Sequence, residues 1–406
     1  MFQFDTIPPL SLYLHIPWCV RKCPYCDFNS HAADDALPED RYVEAVLRDL
    51  EQELPLVWGR AVETVFIGGG TPSLFSPEAM DRLLSGIRAR VTVPAFSEIT
   101  MEANPGTCEQ ARFEEFRAMG INRLSVGVQS FSDESLRRIG RIHDGAEARR
   151  AVEAARKAGF DNINLDLMFG LPGQDLAASQ RDVEKAIELE PEHISRYQLT
   201  IEPNTYFHPP TPPLPEEDHI WDMQEAGQAL LAEHGYTQYE VSAYARDRRQ
   251  CKHNLNYWRF GDYLGIGAGA HGKLTLPGEQ RILRRWKTRQ PKAYMDQAGQ
   301  PASVGERALD PADAVIEFMM NALRLSEGFE TRLFTEHTGL PIAVVRGPLA
   351  EAEERGLIEW SPVEIRPTER GMRYLNELLQ LFMVDEEEIR QQLKPAGLKV
   401  VDLTGG

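Results

Sequence analysis

Along the first two hundred residues, short apolar runs at 11–16, 64–67, 98–102, 123–128, 162–168 and 194–201 alternate with longer stretches whose apolar positions recur at helical spacing, such as 41–54 and 146–158. Repeated strand–helix units imply parallel strands joined by right-handed crossovers. Six such units predict an α/β fold built on a partial (β/α)6 barrel rather than a complete eightfold one. In a parallel barrel the chemistry gathers at the C-terminal ends of the strands. The loop after the first run, Glu102, Gln129 and Asp166 are expected there, each placing a polar group where an apolar strand stops.

Beyond residue 208 the pattern changes. Pro209, Pro210, Pro212, Pro213 and Pro215 predict an extended surface spacer, because proline fixes φ and removes a backbone donor. A helical pattern over 217–234, a strand-like 236–244 and an unusual stretch over 251–272 follow. From 311 to 383 the order is helix near 312–325, helix near 342–355, a hairpin of 357–360 with 364–367, and a closing helix from Thr368. That order predicts a winged-helix-like α+β domain. Its candidate recognition helix sets Glu351, Glu353 and Glu354 against Arg346 and Arg355, which suits a scaffold or partner surface better than a DNA reader. The chain is therefore expected to divide into a barrel (1–210), an extension completing the core (211–300), the C-terminal domain (301–385) and a tail (386–406).

Composition narrows the class. A chain of 406 residues with 42% apolar content is an ordinary globular protein, and a net charge of −18 argues against broad nucleic-acid binding, which needs a basic surface. No apolar stretch approaches the roughly 20 residues of a membrane-spanning helix, and no basic segment followed by an apolar one opens the chain. A cytoplasmic protein with reduced thiols is expected, with peripheral membrane contact left open.

Cys19, Cys23 and Cys26, in the run His15-Ile16-Pro17-Trp18-Cys19-Val20-Arg21-Lys22-Cys23-Pro24-Tyr25-Cys26, carry the candidate chemistry. Three thiolates with no fourth cysteine nearby can hold three irons of a cubane 4Fe–4S cluster and leave the fourth iron open. Zinc is the alternative, with His15 or His31 as the fourth ligand. Cys108 and Cys251 are too scattered to suggest a disulfide framework. Arg21 and Lys22 can offset the charge of a cluster, or are simply a solvated basic pair. Downstream, Gly68, Gly69 and Gly70 follow the run 64–67 and are expected to let backbone approach a ligand. Glu102, buried at a strand end, needs cationic or hydroxyl groups of a ligand as partners.

The cysteine run and the Gly-Gly-Gly-Thr-Pro segment at 68–72 resemble the radical S-adenosylmethionine (SAM) superfamily. The resemblance implies a radical-SAM barrel in which SAM chelates the open iron through its amino and carboxylate groups. An electron from the cluster then cleaves the sulfonium and releases a 5′-deoxyadenosyl radical. It implies SAM contacts from Tyr13, Tyr25, Gly69, Gly70, Thr71, Glu102, Gln129, Arg141 and Asp166, with Tyr25 beside the adenine; in relatives some of these positions serve a second SAM. Tyr13 and His15 are expected on opposite faces of the first strand, leaving His15 as a core histidine.

Tyr13, His15, the glycine run and the segments 100–105, 123–131 and 166–173 together narrow the resemblance to the branch containing the oxygen-independent coproporphyrinogen III oxidases. Two features differ from the oxidases: Phe28 replaces their further cysteine, and only 18 residues precede Cys19. His253-Asn254-Leu255-Asn256-Tyr257-Trp258 is similar to a motif marking haem chaperones within that branch. Read without the resemblance, His253 is a packed loop histidine. Read with it, His253 is a haem-iron ligand, with Asn254 in the motif and the rings of Tyr257 and Trp258 on the porphyrin. Cys251 and His271 are lesser ligand candidates. Arg281, Arg284, Arg285, Lys287 and Arg289 either meet haem propionates or form a solvated helix face. The implied function is a haem chaperone that binds a 4Fe–4S cluster, SAM and haem. It passes haem to apo-haemoproteins, those of the respiratory chain among them, and takes electrons from a flavodoxin-type donor. A coproporphyrinogen III dehydrogenase is the alternative. A radical-SAM RNA-modifying enzyme is opposed by the acidic charge.

Overall fold

The computed structural model describes residues 2–33, 36–107 and 110–393. Its centre is a sheet of 12 strands: β1 Leu10–Ile16, β2 Val62–Gly69, β3 Glu98–Ala103, β4 Arg123–Gln129, β5 Ile163–Phe169, β6 His193–Gln198, β7 Thr237–Glu240, β8 Ala243–Ala245, β9 Asp262–Ile266, β10 His271–Leu276, β11 Arg281–Lys287 and β12 Val304–Ala308. Their order across the sheet is β12-β11-β10-β9-β1-β2-β3-β4-β5-β6-β8-β7. Strands β9 and β1 to β6 are parallel, and the remaining pairings are antiparallel. The six predicted units are thus present as an open, partial barrel, extended by a parallel strand and an antiparallel flap that the stretch 251–272 and its sequel did not reveal.

Strand periodicity builds the two faces. In β1, Leu10, Leu12, Leu14 and Ile16 are buried toward the helix layer, where helix Glu39–Glu53 presents Tyr42, Val43, Val46 and Leu50. Ser11, Tyr13 and His15 then share the inner face, since residues two apart point the same way. The expected separation of Tyr13 from His15 is therefore wrong: the Tyr13 hydroxyl lies 3.0 Å from His15 Nδ1. Outer helices are stopped and started by local chemistry. Asp144 and Glu147 form a reciprocal capping box on helix Gly145–Lys157, and Ser76 caps helix Pro77–Arg88.

The basic run at 281–289 is a second correction. Most of it is β11, not a helix face. Alternation sends Arg285 and Lys287 outward into a buried cluster with Asp49 and Glu53, with Lys287 Nζ 2.5 Å from each carboxylate. Arg284, on the other face, pairs with Glu317 at 2.6 Å. The acids are distant in sequence, so the run alone looked solvated.

Strand-like 236–244 is a tight antiparallel pair, β7 and β8. The segment from Pro311 has helices Pro311–Ala322, Thr331–Thr338 and Arg346–Glu354 and a 3-stranded sheet in the order Phe329–Glu330, Glu364–Pro367, Ile358–Trp360. This is the winged-helix order. Its core, with Phe318, Phe334, Leu349 and Ile365, also takes in Phe4, Phe260 and Ile282, which seats it on the flap. Among the described residues no helix is long and apolar enough to cross a membrane.

Candidate functional site

At the C-terminal ends of the strands, the loop after β1 folds back over the barrel mouth. The glycine run explains how. Gly70 N–H donates to Ile16 O and Thr71 N–H to Trp18 O, each at 2.7 Å, so the chain after β2 is zipped to the chain entering the cysteine loop. A Cβ on Gly70 would stand 2.4 Å from Trp18 O, and one on Gly69, whose φ is +117°, would stand 2.7 Å from the His15 ring. The expectation that these glycines open space for a ligand is thus incomplete: at both positions the close neighbour is the cysteine loop's own support.

Cys19, Cys23 and Cys26 line one cavity of about 400 Å³ together with Tyr25, Gly69, Gly70, Thr71, Glu102, Gln129, Arg141 and Asp166. Of the residues expected to contact SAM, Tyr13 alone is not in this lining; its hydroxyl pairs with His15 instead. The zinc alternative loses His15 as a free ligand, because its second ring nitrogen lies 2.9 Å from Asn29 O. Among the described residues no group of three His, Cys, Asp or Glu side chains closes on a single metal ion. A cubane spreads its iron corners, so its thiolates need not meet at a point. Burial pushes the Cys19 and Cys26 thiols up, opposed by hydrogen bonds with Thr71 and Ser30 respectively. Binding to a cationic metal centre reverses that balance by stabilising thiolate. Cys251 lies elsewhere, fully buried with Sγ 3.6 Å from Glu98 Oε1; Cys108 lies outside the described residues.

Opposite the thiols stand two buried acids. Glu102 accepts from Gly69 N–H at 3.0 Å, and its pKa is pushed up to about 8 by burial first and then by the charge of Asp166. Asp166 accepts from Asn164 at 2.8 Å and Ser125 at 3.1 Å and is likewise raised by burial. It sits mid-strand in β5, not at the strand end as expected. It lines the cavity from that mid-strand position. Arg141 lies in the loop after helix Asp133–Arg138, where it donates to Cys23 Sγ at 3.6 Å and Gly127 O at 2.7 Å and bonds Asn104. Gln129 holds a left-handed φ of 65° and accepts from the Tyr197 hydroxyl at 2.8 Å. Asn104, Ser125, Met168 and Tyr197 also line the cavity and were missed. Asn104, two residues after Glu102 beyond an apolar strand, carried the one signal that could have found it. The cavity thus opposes an acid pair to a guanidinium beside three thiols. That donor set fits a cluster and a zwitterionic, amino-acid-like ligand.

The HNxxYW motif is at the other end. His253 lies on helix Lys252–Trp258 against the first residues of the strands. It is 1% exposed, with Nδ1 2.9 Å from Thr64 Oγ1 and Nε2 3.0 Å from the Tyr257 hydroxyl. Its backbone N–H donates to Glu98 at 3.2 Å, and Asn256 donates to Ser11 at 2.8 Å. Trp258 is half-buried under the Arg324 guanidinium, 4.5 Å from its ring. Asn254 is half-buried on the same helix. This motif plugs the barrel floor, and the structure does not bring it to the thiol cavity. His271 and Arg289 are exposed on the flap.

Fold and cavity together define a radical-SAM-type partial barrel. A model of the radical SAM superfamily matches residues 13–189, and a model of the HemN C-terminal domain matches residues 309–374. The chain is 52% identical over 379 residues to the heme chaperone HemW of Escherichia coli strain K12, spanning 93% of this chain and 99% of that protein. It is 34% identical to the heme chaperone HemW of Bacillus subtilis strain 168, spanning 92% and 99%. The chain belongs to the HemW family. Among solved structures, the coproporphyrinogen III oxidase HemN of Escherichia coli superposes with a TM-score of 0.78 at 24% identity, covering 93% of this chain and 91% of that one, which establishes the shared fold.

Proposed function

We propose that this chain is a haem chaperone that carries a 4Fe–4S cluster on Cys19, Cys23 and Cys26 and binds SAM in the adjoining cavity. It takes up haem and passes it to apo-haemoproteins, working in the cytoplasm with a flavodoxin-type protein as electron donor. The observation that carries the reading is the full-length likeness to proteins named as haem chaperones.

The chain's own residues support the cofactor half. The zipped glycine run holds the cysteine loop over the mouth, Glu102 and Asp166 offer carboxylates to an amine, and Arg141 offers a guanidinium to a carboxylate. When bound, the cluster supplies an electron and an open iron for the amino-acid end of SAM. Phe28, 57% exposed beside the cluster loop, replaces the cysteine of the oxidases and supports a chaperone over a dehydrogenase.

Anaerobically reconstituted protein should bind ferric haem and transfer it to apo-myoglobin. Given SAM, dithionite and coproporphyrinogen III, it should form no protoporphyrinogen. Multiple turnovers of coproporphyrinogen III would replace this reading with the dehydrogenase.

A further inference from the structure

We propose that Asn164, His193 and Tyr239 are positioning residues for SAM, forming a one-way hydrogen-bond relay from the barrel floor that fixes the Asp166 carboxylate for the amine of the ligand. The proposal rests on the SAM-binding reading above and adds residues that do not themselves line the cavity.

His193 opens β6 directly opposite Asn164 on β5, and Asp166 follows two residues later on the same face of β5. The direction of the relay is set at Asn164. Its Nδ2 lies 2.8 Å from Asp166 Oδ1 and 2.7 Å from Ser125 Oγ, whose hydroxyl in turn donates to Asp166 Oδ2 at 3.1 Å. An ionised carboxylate only accepts, so the amide nitrogen must face it. The Asn164 carbonyl then accepts from His193 Nδ1 at 2.6 Å and from Ser195 Oγ at 3.1 Å. All four hydrogen-bonding positions of the amide are used, and turning it over would set a carbonyl against a carboxylate.

The same logic fixes the imidazole. His193 Nδ1 carries the ring's proton, which leaves Nε2 to accept from the Tyr239 hydroxyl at 2.8 Å. Burial and the charge of Arg123 hold the His193 pKa well below its ordinary value, so the ring stays neutral and keeps one donor and one acceptor. The Tyr239 oxygen accepts from the backbone N–H of Cys251 at 3.3 Å, and Cys251 is the residue that begins helix Lys252–Trp258 on the barrel floor. Every donor from Cys251 onward therefore points toward Asp166. Asn164, His193 and Tyr239 are at most 3% exposed, so no water competes for these bonds.

The relay also distinguishes the two cavity acids. Asp166 receives two side-chain donors, whereas Glu102 receives the single backbone N–H of Gly69. Donors favour the charged form, so Asp166 is the member kept ionised, and its charge raises Glu102.

The test is calorimetric titration of the full, cluster-loaded chain with SAM and with methylthioadenosine, which lacks the amino-acid end. His193→Leu and Asn164→Leu should weaken SAM binding by about tenfold and leave methylthioadenosine unchanged. The pair His193→Asn and His193→Gln, equal in polarity, decides the matter even where a leucine variant fails to fold. An asparagine amide stands where Nδ1 stood and should keep SAM affinity within about threefold of wild type; glutamine carries its amide past Asn164 and should lose about tenfold. Iron–sulfur absorption retained in each variant reports an intact barrel. Equal affinities in His193→Asn and His193→Gln, or equal losses for SAM and methylthioadenosine, would overturn the relay and leave the SAM site standing. No SAM binding by the wild type would overturn the SAM reading itself and the relay with it.

Discussion

The backbone N–H of Gly69 donates to Glu102 Oε2 at 3.0 Å, so the acid that faces the cavity is anchored to the same glycine run that clasps the cysteine loop. Cavity lining and loop position are thereby joined through one carboxylate.

Glu102 has its pKa pushed up to about 8, so in the free protein it is mostly protonated at neutral pH. An amine bound against it favours the carboxylate form. Binding therefore releases a proton below pH 8, and SAM affinity should climb with pH and level off near that value. Glu102→Gln should weaken SAM binding by about 1–3 kcal/mol and lose this share of the pH dependence. Calorimetry in buffers of different ionisation enthalpy reads both; equal proton release by wild type and variant would remove Glu102 from the ligand.

Gly70→Ala tests the clasp. Its methyl would meet Trp18 O at 2.4 Å, a backbone atom that cannot swing aside. The variant should lose iron and sulfide along with SAM binding, because the loop carrying Cys19 is displaced. Full iron content with only SAM affinity reduced would assign Gly70 to the ligand instead of the loop.

Alanine at Cys19, Cys23 or Cys26 should abolish the visible iron–sulfur absorption and most bound iron and sulfide. Cys251→Ala should retain both, at a stability cost on the order of 1 kcal/mol from the lost contact with Glu98. Chemical assay of iron and sulfide decides, and equal depletion in Cys251→Ala would contradict the assignment.

Burial holds the pKa of His253 down to about 3 and that of His337 down to about 4. Both are neutral in the fold, and the unfolded chain protonates first as pH falls through about 6.5. Stability is therefore fully present above that pH and is lost as pH falls toward 4, by on the order of 2 kcal/mol per histidine at pH 5. Urea unfolding at pH 7.5 and pH 5 measures it. His253→Asn should flatten the slope, and an unchanged slope in that variant would place His253 in contact with solvent.

The six strand–helix units, the three-thiol loop and the winged-helix order were legible because each rests on local physics. Buried strands show as apolar runs, helices as a repeat near 3.6, and the three thiols at 19, 23 and 26 lie in one short run. Glu102, Gln129, Arg141 and Asp166 were legible as a group because polar residues recur on or just after successive apolar strands, and the fold does bring them to one cavity.

What only the tertiary structure decided are the relations between residues far apart in the chain. The run at 281–289 looked solvated until β11 set Lys287 between Asp49 and Glu53, more than two hundred residues away. The HNxxYW helix has no direction of its own; its place at the floor depends on Ser11, Thr64 and Glu98, contributed by three strands. His271 and Trp286 become neighbours only through an antiparallel register. Side-chain chemistry and spacing are written locally, whereas burial and partnership depend on which distant segment the chain packs against.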